Sequence, residues 1–196
     1  MKRRAARQRV IKSTARQSLW TRSFVIIWLV NFLNTTCFIL LTVVMSKVAT
    51  DRFNVSPALA GLAASIFVVG AFVIRPGLGR RIHHIGQNRV LYIGSFLSLV
   101  ATLLYFFAGS IELLLLVRFL HGAFFGMAGL ATNTIVATAV PRERYGEGLG
   151  YFMLGPTLST AIGPAAGLLM LRHGGFDPII VTCAVAAAIS LALLPF

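Results

Sequence analysis

Arg118 and His121 carry the most conspicuous chemistry of this chain, because both lie within the apolar stretch 113–140. A guanidinium at membrane depth costs roughly 2.5 kcal/mol or more, so Arg118 is expected to face protein or water rather than lipid. His121 follows three residues later on the same helical face, where an imidazole suits either proton transfer or a static hydrogen bond. The sequence leaves these two roles of His121 open.

Two apolar segments carry polar stripes. At ~100° per residue, each stripe fits within an arc of about 120°. The first contains Asn31, Asn34, Thr35, Thr42 and Ser46, and the second contains Arg118, His121, Gly122, Gly129, Thr132 and Asn133. We predict that they line a shared aqueous path for substrate or protons, formed by Asn31, Asn34, Thr35, Arg118, His121, Thr132 and Asn133. The alternative is that these side chains only make interhelical hydrogen bonds, worth ~0.6 kcal/mol each.

The composition predicts a membrane protein, since 57% of the residues are hydrophobic and 12% are charged, far from the values of soluble proteins. Segments near the ~20 residues that cross a hydrocarbon core lie at 24–48, 58–74, 90–108, 113–139, 149–171 and 178–194. Ser56-Pro57 and Asp177-Pro178 each predict a helix start, with a capping residue before a proline. Pro141 predicts the end of the fourth span. The expected fold class is therefore all-α, with six transmembrane helices.

The basic residues predict the orientation of these spans. The segment 1–22, the connection 75–89 and the connection 142–144 carry fourteen Lys and Arg residues, whereas the opposite side has only Lys47, Arg52 and Arg172. By the positive-inside rule both termini are cytoplasmic, in a multi-pass protein of the cell inner (plasma) membrane. We predict a basic cytoplasmic segment at 1–22 and a transmembrane domain at 23–196. The net charge of +13 then indicates membrane lipid, and not nucleic acid, as a partner.

The sequence contains no motif that is typical of an enzyme active site. No metal-ligand spacing, nucleophile elbow or phosphate-binding glycine loop is present, and Cys37 and Cys183 fall inside spans, where small apolar packing residues are expected. We therefore predict no catalytic residues, no cofactor and no metal site.

Three motifs, in order along the chain, resemble those of the major facilitator superfamily. The signature loop after the second span is matched by Arg75, Pro76, Gly79, Arg80, His83, Gly86 and Arg89. Arg118-x-x-His121-Gly122 is similar to the fourth-helix motif that is tied to proton coupling. The antiporter motif of the fifth span is matched by Gly150, Ser159, Gly163, Pro164 and Gly167, and the preceding Pro141-x2-Arg144-Tyr145-Gly146-Glu147-Gly148 is similar to bacterial drug-efflux branches.

The chain departs from the family motifs at two places, and the motif glycines lead to predictions about local structure. His83 stands where the signature loop has an acidic residue, and Ser159 and Leu168 replace antiporter-motif glycines. Gly79 and Gly86 are expected to permit tight backbone geometry in the loop. Gly163-Pro164 with Gly167 is expected to allow close helix approach and a kink.

The resemblance implies that the chain is one half of a major facilitator fold, built as two inverted three-helix repeats. It implies the N-terminal half of a secondary transporter that exports small molecules in exchange for protons by alternating access. The partners would be a small-molecule substrate and a missing C-terminal six-helix half or partner chain. Still open are an uptake transporter of the same fold and a non-transporting membrane interaction or assembly protein. Whether the chain is a fragment or a natural half-transporter is also open.

Overall fold

The computed structural model describes residues 19–194, and every regular element in that range is helical. The helices are α1 Arg22–Phe53, α2 Pro57–Ile85, α3 Gln87–Leu104, α4 Ile111–Ala139, α5 Tyr145–Gly174 and α6 Asp177–Leu193, with short 3-10 turns at Tyr105–Phe107 and Arg142–Arg144. By length and composition, α1 to α5 are able to cross a membrane, while α6 is a shorter apolar helix of 17 residues. The predicted all-α membrane fold with six helices is confirmed.

The helix ends follow local signals in most places. Ser56 caps α2, since its Oγ accepts a hydrogen bond from the Leu59 N–H at 3.4 Å, and Pro57 is the first helical residue. Helix α4 ends at Ala139, two residues before Pro141. The prediction that Asp177 caps α6 is wrong, because the Phe176 carbonyl accepts the N–H groups of residues 179 and 180 and the helix therefore begins at Asp177.

Helix α1 runs beyond the predicted span. Lys47 and Asp51 form an i,i+4 ion pair of 2.8 Å, which favours helix beyond the apolar stretch. The helix ends where Asn54 adopts a left-handed conformation with φ of 51°.

The predicted signature loop is mostly helical, which corrects its assignment as a loop. Helix α2 continues to Ile85 with Pro76 inside it, because the arginines of this stretch are good helix formers and lie exposed at the end of the bundle. Gly79 lies within the helix, and nothing approaches the position of a Cβ atom there, so its predicted tight geometry is wrong. Gly86 does make the turn between α2 and α3, with a positive φ of 95° that favours glycine.

Consecutive helices run in opposite directions, and the bundle encloses two apolar clusters, one at each end. One cluster joins the start of α1 (Phe24) and the end of α4 (Val136), and the other joins the end of α1 (Val48) and the start of α4 (Leu114). We call the first end the arginine-rich end, since it carries Arg22, Arg75, Arg80, Arg81, Arg89, Arg142 and Arg144. The opposite end carries Lys47, Arg52 and Arg172. The helix order therefore separates the basic residues as predicted from the sequence.

Helices α2 and α4 approach so closely that only glycine fits at their crossing. A Cβ atom on Gly122 would collide with the Phe67 carbonyl oxygen, and one on Gly70 would collide with the Phe119 carbonyl oxygen. At Gly126 it would lie 2.6 Å from the Ala71 carbonyl oxygen. Small residues of this kind let membrane helices make extensive backbone contact.

We expect Gly122→Ala to lower the thermal midpoint of the protein in its native assembly by several degrees. The added methyl group overpacks the α2–α4 contact, which costs roughly 1–3 kcal/mol. Gly129→Ala, on the same helix, is the matched control, because nothing lies within 4 Å of the position of its Cβ atom. Detergent-solubilised melting curves measure both variants. Equal midpoints for the two variants would show that α2 and α4 can move apart to accommodate a methyl group at little cost in stability.

Candidate functional site

Arg118 lies fully buried where three helices meet, at 0% exposure. Its Nε donates to the Ala63 carbonyl at 3.1 Å, and its Nη2 donates to the Ala64 carbonyl at 3.0 Å and to the Thr42 hydroxyl at 3.2 Å. Ala63 and Ala64 belong to α2 and Thr42 belongs to α1. One guanidinium on α4 therefore ties α1, α2 and α4 together.

The guanidinium has further capacity for interaction. Its carbon lies 4.7 Å from the centroid of the Phe67 ring, at cation–π distance. Its Nη1 is buried and has no hydrogen-bond partner among residues 19–194. A buried charged donor left unsatisfied is costly, so this atom favours an additional acceptor from a substrate, water or another protein segment.

His121 lies beside Arg118 and is also buried, at 4% exposure. Its Nδ1 is 3.2 Å from the hydroxyl of Tyr105, which lies in the 3-10 turn after α3. The imidazole packs edge-on to the Phe67 ring, with centroids 5.2 Å apart. We call Thr42, Phe67, Tyr105, Arg118 and His121 the arginine cluster.

Sequence reasoning did not select Tyr105 or Phe67. The available signal for Tyr105 was its polar tip at the end of an apolar span, since a buried tyrosine hydroxyl normally finds a partner. That the partner is His121 required the tertiary structure. Phe67 offered no signal, because it is one apolar residue among many in the second span.

The other stripe residues are distributed differently. Asn31, Asn34 and Thr35 are half-buried on α1, whereas Asn133 is exposed on α4. Thr132 is buried and donates to the Gly129 carbonyl within its own helix at 3.0 Å. Of the stripe residues, the structure thus brings Thr42, Arg118 and His121 into the arginine cluster and leaves the others outside it. The shared aqueous path stays a prediction, and in this conformation Arg118 and His121 are packed inside protein.

The signature-motif residues lie at the arginine-rich end, away from the arginine cluster. Arg75, Arg80, His83 and Arg89 are exposed, as is Pro76 within α2. The Arg75 guanidinium lies 5.6 Å from the Phe72 ring centroid. The effect of His83 in place of an acidic residue stays a prediction.

Three of the antiporter-motif residues, Ser159, Gly163 and Gly167, line the contact between α5 and α1. A Cβ atom on Gly163 would collide with the Ile39 side chain, and one on Gly167 would lie 3.3 Å from the Leu40 carbonyl oxygen. Ser159, which replaces a glycine of the motif, lies 2.8 Å from the Thr36 hydroxyl and donates to the Phe32 carbonyl at 3.2 Å. Pro164 lies inside α5, and Gly150 is exposed near its start. The serine thus contributes a polar link to a contact that small residues make close.

Cys37 and Cys183 are buried where α1 meets α6. The Cys37 thiol lies 3.6 Å from the Cys183 carbonyl oxygen, and both cysteines are free. This placement agrees with the packing role predicted for them.

Comparison with known proteins places these features in a family. The sequence model of the Major Facilitator Superfamily matches residues 27–196. The chain is 27% identical over 164 residues to proteins named "Multidrug resistance protein MdtG" from Salmonella choleraesuis (strain SC-B67) and Salmonella typhi. Each match covers 82% of this chain and 40% of the relative, so the chain spans about two fifths of the length of these curated relatives. On its helical fold, its ordered motifs and the extent of the family match, the chain belongs to the major facilitator superfamily.

Proposed function

We propose that this chain is the N-terminal half of a secondary active transporter that exports small molecules in exchange for protons, and that it is not an enzyme. The observation that carries the proposal is the arginine cluster, in which a buried charge with an unused donor joins three helices. Membership in the superfamily and the names of the multidrug-resistance relatives support it. Because those relatives are longer, the complete activity requires a second half, supplied by the same protein or by a partner chain.

The distribution of acidic residues directs attention to His121 for proton coupling. All five acidic residues lie at or next to helix ends: Asp51, Glu112, Glu143, Glu147 and Asp177. At membrane depth, His121 is therefore the side chain of this half to which we assign proton transfer, because an imidazole nitrogen can both accept and donate a proton. Tyr105 orients its ring through the Nδ1 contact. We assign proton exchange to His121 together with an acidic group in the second half.

The Arg118 contacts suggest how the cluster takes part in alternating access. Its acceptors on α2 are backbone carbonyls. A guanidinium binds a carboxylate or another anion more strongly than it binds a neutral carbonyl, so an anionic substrate would displace these contacts. An anion that reaches Nη1 would draw Arg118 away from α2 and loosen the contact among the three helices. The cluster thereby links occupancy of the cavity to helix movement.

A measurement of gradient-driven accumulation tests this function. Inside-out vesicles containing the complete protein are energised to form a pH gradient, and uptake of fluorescent lipophilic drugs is followed with and without a protonophore. We expect uptake that the protonophore abolishes. Uptake that persists without the gradient would contradict proton coupling, and accumulation only in right-side-out vesicles would contradict efflux. No movement of any tested compound in either orientation would favour an assembly protein.

His121→Gln sharpens this test, because an amide retains hydrogen bonding to Tyr105 but carries no titrating proton. We expect gradient-driven accumulation to fall by at least roughly tenfold while exchange of labelled for unlabelled drug continues. His173→Gln, on an exposed histidine at the end of α5, is the matched control. Unchanged accumulation by His121→Gln would assign the imidazole a structural hydrogen bond only.

We also propose that both termini are cytoplasmic, with 1–22 as a basic cytoplasmic segment and 23–196 as the half-domain. The basic side chains at the arginine-rich end support this orientation. Residues 1–18 lie outside the described range.

Thiol labelling in intact cells measures the orientation. A membrane-impermeant reagent is expected to label cysteines placed at Asn54 and Gly174 but not at Glu143 or Ser13. The native Cys37 and Cys183 are buried and give little background. Labelling at Glu143 from outside would reverse the orientation.

A further inference from the structure

A cavity of about 320 Å³ opens at the arginine-rich end, between the first turns of α1 and α3 and the last turn of α4. Its polar lining comes from Ser23, Gln87, Asn88, Tyr92 and Thr138. The Gln87 Nε2 reaches toward the Thr138 hydroxyl at 3.5 Å, so the cavity is bounded by side chains of both α3 and α4. Neither the arginine cluster nor the polar stripes contribute to it.

A second cavity of about 340 Å³ adjoins the first on the outer side of α3. The two share Asn88, Tyr92 and Leu194, and the second adds Arg89 and Ile93. No acidic side chain lines either cavity within residues 19–194. The first cavity thus offers hydrogen-bond donors, and the more open, mostly apolar second cavity adds the Arg89 cation at its edge. Together these groups are complementary to an anion that carries an apolar part.

The outer face of α3 continues from these cavities as an apolar stripe. Tyr92, Phe96, Val100 and Leu103 recur at helical spacing and are 37–48% exposed. A hydrocarbon chain is the natural neighbour of such a face in a membrane. An anion-complementary cavity that leads into an apolar stripe has the two parts needed for a phospholipid.

We infer that these joined cavities bind the phosphate headgroup of an anionic phospholipid of the cytoplasmic leaflet, with its acyl chains along α3. Arg89 supplies the cation, and Asn88 and Tyr92 supply hydrogen-bond donors. The first turn of α3 lacks a side-chain cap, which adds a weak preference for an anion. The inference uses the proposed orientation but is independent of transport, since it involves the opposite end of α4 from Arg118.

Lipid retention by the purified protein tests this inference. The protein in its native assembly is equilibrated with equimolar phosphatidylglycerol and phosphatidylcholine, and retained lipids are counted by native mass spectrometry. We expect about fivefold preference for phosphatidylglycerol, the effect of one arginine near the headgroups. Arg89→Gln should abolish that preference and Arg89→Lys should keep most of it. Thr138→Phe, which fills the cavity without changing charge, should also abolish it.

Arg81→Gln is the matched control, because Arg81 is exposed at the same end but lines neither cavity. Equal losses in Arg81→Gln and Arg89→Gln would show diffuse surface charge and overturn the site. Retained preference in Thr138→Phe would place the lipid elsewhere. Displacement of the lipid by excess inorganic phosphate would indicate a site for free phosphate. No preference in the wild-type protein would also overturn the inference, whether the cavity is empty or filled by another part of the protein.

Discussion

Replacing Arg118 with methionine is expected to reduce drug transport by the complete protein about 100-fold, because hydrogen bonds to a charged group are worth roughly 1.5–3 kcal/mol each. Methionine preserves much of the apolar stem against Phe67 while it removes the donors to α1 and α2. The assay is initial uptake into energised inside-out vesicles, with protein content measured in the same membranes. Arg118→Lys should lose nearly as much activity, since an ammonium group cannot reproduce the planar fork.

The control for the Arg118 series is Arg172→Met, on an exposed arginine at the end of α5. This variant is expected to transport at the wild-type rate. If Arg118→Met were inserted normally and transported at a near-normal rate, Arg118 would be a packing residue and the arginine cluster would lose its proposed role. If Arg118→Met were absent from the membrane, a second substitution that stabilises the protein would be added. We then expect the amount of protein in the membrane to recover while transport stays low.

The second large effect concerns the chain by itself, which we expect to show no transport after reconstitution. Alone in a bilayer, α1 and α4 would present Asn31, Asn34, Thr35 and Asn133 to lipid, where polar side chains are unfavourable. The second wall needed for alternating access would also be absent. The chain should aggregate, be degraded or self-associate through this face.

Co-expression with a six-helix C-terminal half supplies the decisive comparison. Both the amount of chain in the membrane and drug uptake are expected to rise to the level of the complete protein. Substrate movement by the purified chain with no partner present would instead establish a homodimeric half-transporter.

Local signals in the sequence were sufficient for much of the fold. Ser56-Pro57 begins α2, Pro141 follows the end of α4 and Gly86 turns the chain. These signals are local because capping, proline geometry and positive φ depend on a few neighbouring residues. The errors at Gly79 and Asp177 also have local causes. Gly79 lies in an exposed polar stretch that continues as helix instead of forming a loop. Helix α6 begins one residue earlier than predicted, at Asp177, because the Phe176 backbone carbonyl accepts its first hydrogen bonds.

The sequence by itself determined that the chain is a six-helix membrane protein of this superfamily and that Arg118 carries an unusual charge at membrane depth. The lengths of the hydrophobic segments and the order of the motifs along the chain are sufficient for these conclusions, and neither depends on how the helices pack. Only the tertiary structure decided what Arg118 contacts: Ala63 and Ala64 are 55 and 54 residues away in sequence, and Thr42 is 76 residues away. It likewise decided that Tyr105 meets His121. The physical reason is that helical periodicity identifies the face on which a residue lies, whereas its partner depends on the rotation and depth of another helix, which Gly70 and Gly122 set through close backbone contact.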